Sequence, residues 1–155
     1  MTTEEPIVDS ATDWVAKHIR TYVDSGGTKG HLYHGLPTLL LTVRGRKSGV
    51  LRRTALIYGR AGDDVVVVAS SGGSDGHPAW YLNLLDTPDV DVQVGTERFA
   101  ARARTATAAE KPALWQAMVT IFPRYEQYQA ATAREIPVVV LERVHTPAAI
   151  DVGPA

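Results

Sequence analysis

Apolar side chains three and four positions apart predict an amphipathic helix over residues 9–25. These positions are Trp14, Val15, Ile19, Tyr22 and Val23. Asp9 or Ser10 can cap the start of this helix, and the pair Gly26-Gly27 ends it. The apolar face is short, which favours a helix that covers the core over one that lies on a membrane surface.

Most of the remaining chain alternates between apolar runs and tight turns, a pattern typical of β-strands. The predicted strands are 38–44, 51–59, 65–70, 90–94, 98–105 and 136–144. A short helical piece is expected near Trp80 to Leu85. Thr107 and Glu110 form a capping box that opens a helix running through Ile121. The segment 122–132 is expected to be irregular or helical, because Pro123 must break or start a helix.

The order of these elements predicts an α+β fold: a mostly antiparallel β-barrel or sheet of about six strands with helices packed outside. A doubly wound α/β fold would need a helix between consecutive strands, and the first three strands have none. Neither repeats nor linkers interrupt the chain, so we expect one domain over 1–155. It comprises an N-terminal helix and loop (1–30), a core (36–144) and a Pro- and Ala-rich tail (145–155).

Composition limits the classes of function. The chain has 155 residues, of which 45% are hydrophobic and 21% charged, as in a globular protein. Sixteen Lys and Arg against seventeen Asp and Glu leave a net charge of -1. A protein that binds bulk DNA or RNA usually carries a basic surface, so we expect no nucleic-acid partner.

Cysteine usage and hydropathy predict the compartment. Cysteine is absent, which excludes disulfides, thiolate metal sites and a Cys nucleophile, and fits a reducing cytoplasm. The acidic start shows no secretory signal, and the longest apolar runs are far shorter than the ~20 residues that a membrane span needs. We therefore expect a cytoplasmic protein, with attachment to a membrane surface left open.

The stretch "RGRKSGVLRRT", residues 44–54, packs five positive charges into eleven residues. Lys47-Ser48 suggests a phosphate loop, but Arg46 stands where that motif needs Gly, and the context is strand–turn–strand. Lys and Arg hold phosphates and carboxylates through charge-assisted hydrogen bonds. Because like charges repel, the cluster favours binding of a compact anion over the alternative of an exposed solubilising turn.

Two further stretches are candidates for a site. In "ASSGGSDGHPAWY", residues 69–81, paired glycines follow a buried strand and allow a backbone to approach a ligand closely; a flexible loop is the alternative. Tyr125 and Tyr128 are spaced to share one face of a helix, where phenols can donate hydrogen bonds, although core packing is the alternative.

His31 and His34 lack a matching acidic or His pair, so we expect no metal site.

Taken together, four ordered segments resemble the deazaflavin-dependent nitroreductase family of F420H2-dependent oxidoreductases. The segments are "GRKSGVLRR", "VVVVASSGGSDGHPAWYLNL", "PDVDVQV" and "FPRYEQYQAATAREIPVVVLE". The resemblance runs from about Leu36 to Glu142. It implies a split β-barrel of the flavin-reductase type, coenzyme F420, and hydride transfer to a flat electron-poor acceptor: a quinone, a nitroaromatic or an enone. The phosphate and acidic glutamate tail of F420 are the kind of anion that the basic turn predicts.

The resemblance also implies the residues of the site. Cofactor-binding residues would be Lys47, Ser48, Arg52, Arg53, Ala69, Ser70, Ser71, Gly72, Gly73 and Trp80. The acceptor would contact Trp80, Phe122, Tyr125 and Tyr128. Within these sets, Ser70, Tyr125 and Tyr128 would be the catalytic groups that donate hydrogen bonds to the acceptor.

Three positions depart from the family members considered: Phe122 replaces a tyrosine, Ser71 a lysine and Ala55 a proline. These three positions lie toward the contacts with the substrate and the cofactor tail. Cofactor binding is therefore better supported by the resemblance than nitroreductase activity. The alternatives are an FMN-dependent split-barrel oxidoreductase, a non-catalytic carrier or sensor of F420, and an anion-binding module without redox function. A homodimer is compatible with the sequence, which does not fix the oligomeric state.

Overall fold

The computed structural model describes residues 5–144. The predicted tail, 145–155, lies outside the described residues. The strands are β1 (Ile7–Asp9), β2 (Leu32–Tyr33), β3 (Leu36–Arg44), β4 (Leu51–Ile57), β5 (Gly59–Ala61), β6 (Asp64–Val68), β7 (Asp89–Val94), β8 (Glu97–Thr105) and β9 (Val138–Arg143). The helices are α1 (Asp13–Asp24), α2 (Ala79–Asp86), α3 (Lys111–Ile121) and α4 (Arg124–Ala130).

The strands form one sheet in the order β1-β4-β3-β7-β8-β9-β6-β5, with β2 paired to β3. These pairings are antiparallel except that of β1 with β4. Side chains at alternate positions of β3, such as Leu39 and Leu41, meet those of β6, β7, β8 and β9 in one buried cluster. Since alternate residues of a strand share a face, this cluster is the interior of a sheet curled into a split β-barrel.

The split lies between β4 and β6. The two strands are close in space, yet no strand pairing joins them among the described residues. The barrel is therefore open along one seam.

Helices cover the outer face of the barrel. Val15, Ile19 and Tyr22 of α1 pack on Leu40 of β3 and Ala55 of β4, on the face opposite to the barrel interior. The prediction of a helix that covers the core is confirmed, and this use of its apolar face gives no support to membrane contact. Helices α3 and α4 cover β6 and β9 in the same way.

No helix of the part described has both the length and the apolar character needed to cross a membrane.

The six predicted strands are present, with shifted ends. The predicted strand 51–59 is divided into β4 and β5, and the predicted strand 65–70 ends at Val68, so Ala69 and Ser70 belong to a loop. Strands β1, β2 and β5 were not predicted because two or three residues carry no alternation. Helix α1 begins at Asp13 rather than at residue 9, because the preceding residues pair with β4.

The two predictions made for residues 107–132 agree with the structure. Thr107 and Glu110 exchange the bonds of a capping box: the Glu110 carboxylate accepts from the Thr107 N–H at 2.9 Å, and the Thr107 hydroxyl accepts from the Glu110 N–H at 3.2 Å. Helix α3 starts directly after this turn. The segment predicted to be irregular or helical contains α4.

Candidate active site

A cleft of about 590 Å³ opens at the split of the barrel. Its floor comes from β3 and β4, one wall from the loop after β6 and from α4, and another wall from α1 and the β2–β3 hairpin. Most of its lining side chains are apolar or aromatic. Volume and lining are typical of a site for a small organic ligand.

Strand β4 brings an open edge to this cleft. Strand β1 pairs with β4 over Leu51–Arg53 only, whereas β3 pairs with it as far as Ile57. Residues 54–57 therefore have a strand neighbour on one side, and Ala55, Leu56 and Ile57 line the cleft. An open strand edge presents backbone N–H and C=O groups. A flat ring with donors and acceptors along its rim could pair with this edge.

The loop after β6 adds a concave stretch of backbone. Ser70 is right-handed (φ −79°, ψ −33°), whereas Ser71 (φ 48°) and Gly72 (φ 62°) are left-handed. A right-handed residue followed by a left-handed one turns successive backbone N–H groups to the same side, where they suit an anion or a ligand oxygen. Of the residues predicted to contact a ligand in this loop, Ser70 and Gly72 line the cleft.

Arg134 holds this loop in place and was not predicted. Its guanidinium donates to the carbonyl oxygens of Ser70 at 2.7 Å, Ser74 at 2.8 Å and Ala69 at 3.3 Å. It also lies 3.0 Å from Nδ1 of His77. A single arginine between a helix and a strand has no periodicity or motif spacing that would indicate this role.

Helix α4 and the turn before it contribute an aromatic wall. The rings of Phe122, Tyr125 and Tyr128 lie with centroids 5.0 to 6.3 Å apart, and all three line the cleft. Tyr125 and Tyr128 share a face of the helix, as their spacing predicted. Burial, helped by the neighbouring Tyr128 phenol, raises the pKa of Tyr125 above its ordinary value of 10.0. The raised pKa makes Tyr125 a weaker acid than an ordinary phenol, and its hydroxyl can donate a hydrogen bond at neutral pH.

The wall from α1 was not predicted to belong to the site. Trp14 and Tyr33 stack with centroids 5.3 Å apart, and the His18 ring meets Tyr33 edge-to-face at 5.1 Å. All three side chains line the cleft. Trp14 was predicted only as part of the apolar face of the helix, and no pattern singled out His18.

Two of the five cations of the basic turn have carboxylate partners. The Arg44 guanidinium donates to both carboxylate oxygens of Glu5, and that of Arg53 donates to Asp9 at 2.6 and 3.3 Å. Both acids come from the segment before α1. The basic turn was predicted to need an external anion because its five like charges repel one another. Since two of these charges are offset by carboxylates of the chain itself, the prediction applies to the other three.

The other three cations are Arg46, Lys47 and Arg52, which have no carboxylate partner within residues 5–144. Arg46 donates to the neutral side chain of Asn83, through its guanidinium at 2.8 Å and its backbone N–H at 3.1 Å. Asn83 is buried on α2 and fixes the turn, a role that sequence analysis missed. The positive charge at this turn faces solvent.

A second, smaller cleft of about 180 Å³ is lined by residues that include Arg52, Arg53, Thr54 and Trp80. Thr54 precedes Ala55 of the larger cleft, so β4 contributes consecutive residues to the linings of the two clefts. The structure thus brings Trp80 together with the basic residues and not with Tyr125 and Tyr128.

The remaining predicted residues lie around these two clefts. Lys47 and Ser48 are exposed on the basic turn, where the Ser48 hydroxyl accepts the Val50 N–H at 3.1 Å. Ala69 is buried at the end of β6, Ser71 is exposed, and Gly73 is buried against α4.

The histidines named as metal candidates have other roles. His31 Nε2 lies 2.6 Å from the Tyr58 hydroxyl, and His34 is exposed at the turn of the β2–β3 hairpin. Over residues 5–144, no three His, Asp or Glu side chains are grouped in a way that could hold a metal ion.

Comparisons with known proteins agree with the fold and with the resemblance. An F420H(2)-dependent quinone reductase of Mycobacterium tuberculosis is 41% identical over 130 residues, which cover 81% of this chain and 87% of the relative. A solved F420-H2 dependent reductase, FDR-A, is 36% identical with a TM-score of 0.64, over 68% of this chain and 94% of that one. A solved chain described as a domain-swapped dimer is also 36% identical, with a TM-score of 0.67, over 86% of this chain and 100% of that one.

The family model that matches the chain is described as F420H(2)-dependent quinone reductase, and the match spans residues 14–143. It confirms the predicted cofactor, coenzyme F420, and leaves the FMN alternative without support. With this match over most of its length, the chain belongs to the F420H(2)-dependent quinone reductase family and is an F420-dependent oxidoreductase.

Proposed function

We propose that this protein transfers a hydride from reduced F420 to a quinone-type acceptor bound in the cleft at the split of the barrel. The proposal is carried by one observation: along β4, the lining of an aromatic-walled cleft is followed by that of a smaller cleft that contains Arg52 and Arg53, next to the basic turn. F420 has two chemically distinct halves, a flat tricyclic ring and an anionic phosphate with a glutamate tail. The cleft suits the first half and the cations suit the second.

The residues present fit the cofactor. Lys47, Ser48 and Arg52 would hold the phosphate and the acidic tail, with a smaller part for Arg53, whose charge is offset by Asp9. The segment from Ala69 to Gly73 would lie along the ring. Its concave backbone and the open edge of β4 offer hydrogen-bonding groups of the kind that the polar rim of a deazaflavin needs.

When bound, F420H2 supplies a hydride, and a quinone that takes up this hydride and one further proton becomes the hydroquinone. The protein's own residues orient the two molecules and exclude water. The Ser70 hydroxyl and the Tyr125 and Tyr128 phenols line one cleft, where they would donate hydrogen bonds to the acceptor oxygen as negative charge develops. Because burial raises the pKa of the Tyr125 phenol and so makes it a weaker acid, we assign the further proton to solvent water.

We expect quinones to be reduced faster than nitroaromatics or enones, because Phe122 lacks the hydroxyl that nitroreductase members carry at this position. The test is F420H2 oxidation by the purified protein with menadione, a nitroaromatic and an enone under identical conditions. Faster turnover of the nitroaromatic would contradict the predicted order. Saturable F420 binding without turnover of any acceptor would favour the alternative of an F420 carrier or sensor.

A homodimer is a second part of the proposal. It is supported by the 36% identical solved chain described as a domain-swapped dimer. Sedimentation of the purified protein over a range of concentrations tests it, and a monomer at all concentrations would contradict it.

A further inference from the structure

His18 carries a buried polar atom that has no partner. Its Nε2 is shielded from water and makes no hydrogen bond within residues 5–144. It is the only buried side-chain nitrogen or oxygen of this kind in the described part of the chain. Buried polar groups in folded proteins almost always have a partner, and each exception calls for an explanation such as a ligand.

The ring of Tyr33 lies 5.1 Å from that of His18, but no hydrogen bond joins the two side chains within residues 5–144. Two other polar side chains of this region are already engaged. The ring of Tyr22 lies 6.2 Å away, but its hydroxyl donates to the Thr38 carbonyl at 3.0 Å and accepts the Gly95 N–H at 2.6 Å. The Thr38 hydroxyl donates to the Leu36 carbonyl at 3.1 Å. Since His18 also lines the cleft, a partner for Nε2 is best supplied from the cleft itself.

We infer that His18 is a specificity-determining residue for the electron acceptor, donating a hydrogen bond from Nε2–H to a carbonyl oxygen of a bound quinone. This inference rests on the proposed function. A quinone carries two carbonyl oxygens, whereas an enone carries one. The cleft offers donors on two walls, His18 on α1 and the Ser70, Tyr125 and Tyr128 hydroxyls on the other, so a quinone can be held at both oxygens.

Tyr33 packs against the imidazole. Its ring meets His18 edge-to-face, so we expect it to turn when an acceptor reaches Nε2. Tyr33 belongs to the two-residue strand β2 at the rim of the cleft and is only partly buried, and a side-chain rotation there leaves the backbone unchanged. Trp14 stacks on the same ring, so its fluorescence should change when the acceptor binds.

The test compares His18→Phe, which keeps a ring but removes the donor, with His18→Gln, whose amide nitrogen can replace Nε2–H. Lys17→Ala is the control, because Lys17 is exposed on the same helix and does not line the cleft. Menadione is titrated by calorimetry into each protein saturated with oxidised F420, so that no turnover occurs. We expect His18→Phe to weaken menadione binding about ten-fold and His18→Gln to restore it to within about three-fold. The affinity for F420 should stay within about two-fold in all variants.

Kinetics and spectroscopy provide two further readouts. With cyclohexenone as acceptor, which has one carbonyl, the KM of His18→Phe should stay within about two-fold of wild type, while the KM for menadione rises about ten-fold. In wild-type protein, the imidazole ¹⁵N resonance of His18 should shift when menadione is added, a readout that does not depend on any variant folding.

Unchanged menadione binding by His18→Phe, or an unmoved His18 resonance, would overturn the inference. So would a loss of F420 affinity in His18→Phe that matches its loss of menadione affinity, because the residue would then support the cofactor. Failure of the proposed function looks different: wild-type protein itself would not bind F420 or would not oxidise F420H2 with menadione.

Discussion

Gly73 lies directly against the backbone of Tyr128: a Cβ atom on Gly73 would sit 2.9 Å from the Tyr128 carbonyl oxygen and 3.0 Å from its Cα. This contact joins the loop after β6 to helix α4. The loop predicted to carry the cofactor and the helix predicted to contact the acceptor are therefore one packed unit.

Replacing Gly73 by alanine should disturb that unit. Gly73 has a φ of 83°, so alanine there meets both backbone strain and a collision with α4. We expect a loss of about 2 kcal/mol or more in the free energy of unfolding, measured by urea denaturation. Gly72→Ala is the matched control: its φ is 62° but nothing lies within 4 Å, so only the strain of about 1 kcal/mol applies. Equal losses of unfolding free energy in the two variants would contradict a close contact between Gly73 and α4.

Arg134→Lys should weaken cofactor binding more than stability. Lysine keeps the charge, but its compact ammonium group cannot reach the three carbonyl oxygens that the guanidinium holds. We expect the Kd for F420, followed by tryptophan fluorescence, to rise about ten-fold. Arg102→Lys is the control, because Arg102 is in an exposed ion pair with Asp89 away from both clefts. A Kd equal to that of wild type would show that the loop keeps its shape without Arg134.

The cations without carboxylate partners should dominate binding of the anionic tail. Lys47→Ala and Arg52→Ala should each raise the Kd for F420 about five-fold or more, and added salt should weaken wild-type binding in the same titration. Arg44→Ala belongs to the same turn, but its charge is already offset by Glu5, so its effect should be smaller. If Arg44→Ala weakens binding as much as Lys47→Ala, pairing with Glu5 does not matter for the site.

Glu110 should make stability depend on pH in the acid range. Hydrogen bonds from Arg104, and from the Thr107 N–H, lower the pKa of Glu110 from 4.5 to about 2. Because the folded value lies below the unfolded one, this stabilisation is present above about pH 4.5 and is lost as pH falls toward 2. The Tm gap between wild type and Glu110→Gln should therefore be full at pH 7 and shrink steadily between about pH 4.5 and 2. A Tm gap that stays constant between about pH 4.5 and 2 would contradict the lowered pKa of Glu110.

The spacing of apolar residues was enough to predict the main strands and helices. Leu39 and Leu41 face the barrel interior, while Leu40 between them meets α1, which is the alternation that strands produce. The spacing of Tyr125 and Tyr128 likewise predicted a shared helix face. The order of motifs added the split barrel and the cofactor, which no single stretch could indicate alone.

The parts that escaped prediction depend on contacts between distant positions. Strand β1 is three residues long, and Arg53 is neutralised there by Asp9, 44 positions earlier. Arg134 donates hydrogen bonds to backbone carbonyl oxygens about 60 positions away. Every residue has such a carbonyl group, so the sequence pattern cannot indicate which ones accept. His18 became a candidate only because three-dimensional packing leaves its Nε2 without a partner.

Hydride transfer from F420H2 to a quinone is tested most directly by a single-turnover measurement. Purified protein is loaded anaerobically with one equivalent of F420H2 and mixed with excess menadione, while deazaflavin absorbance and menadiol formation are followed together. We expect each equivalent of bound F420H2 that is oxidised to yield one equivalent of menadiol, and Tyr125→Phe to slow this step without preventing loading. Bound F420H2 that stays reduced, or that is oxidised without forming menadiol, would contradict hydride transfer to the quinone.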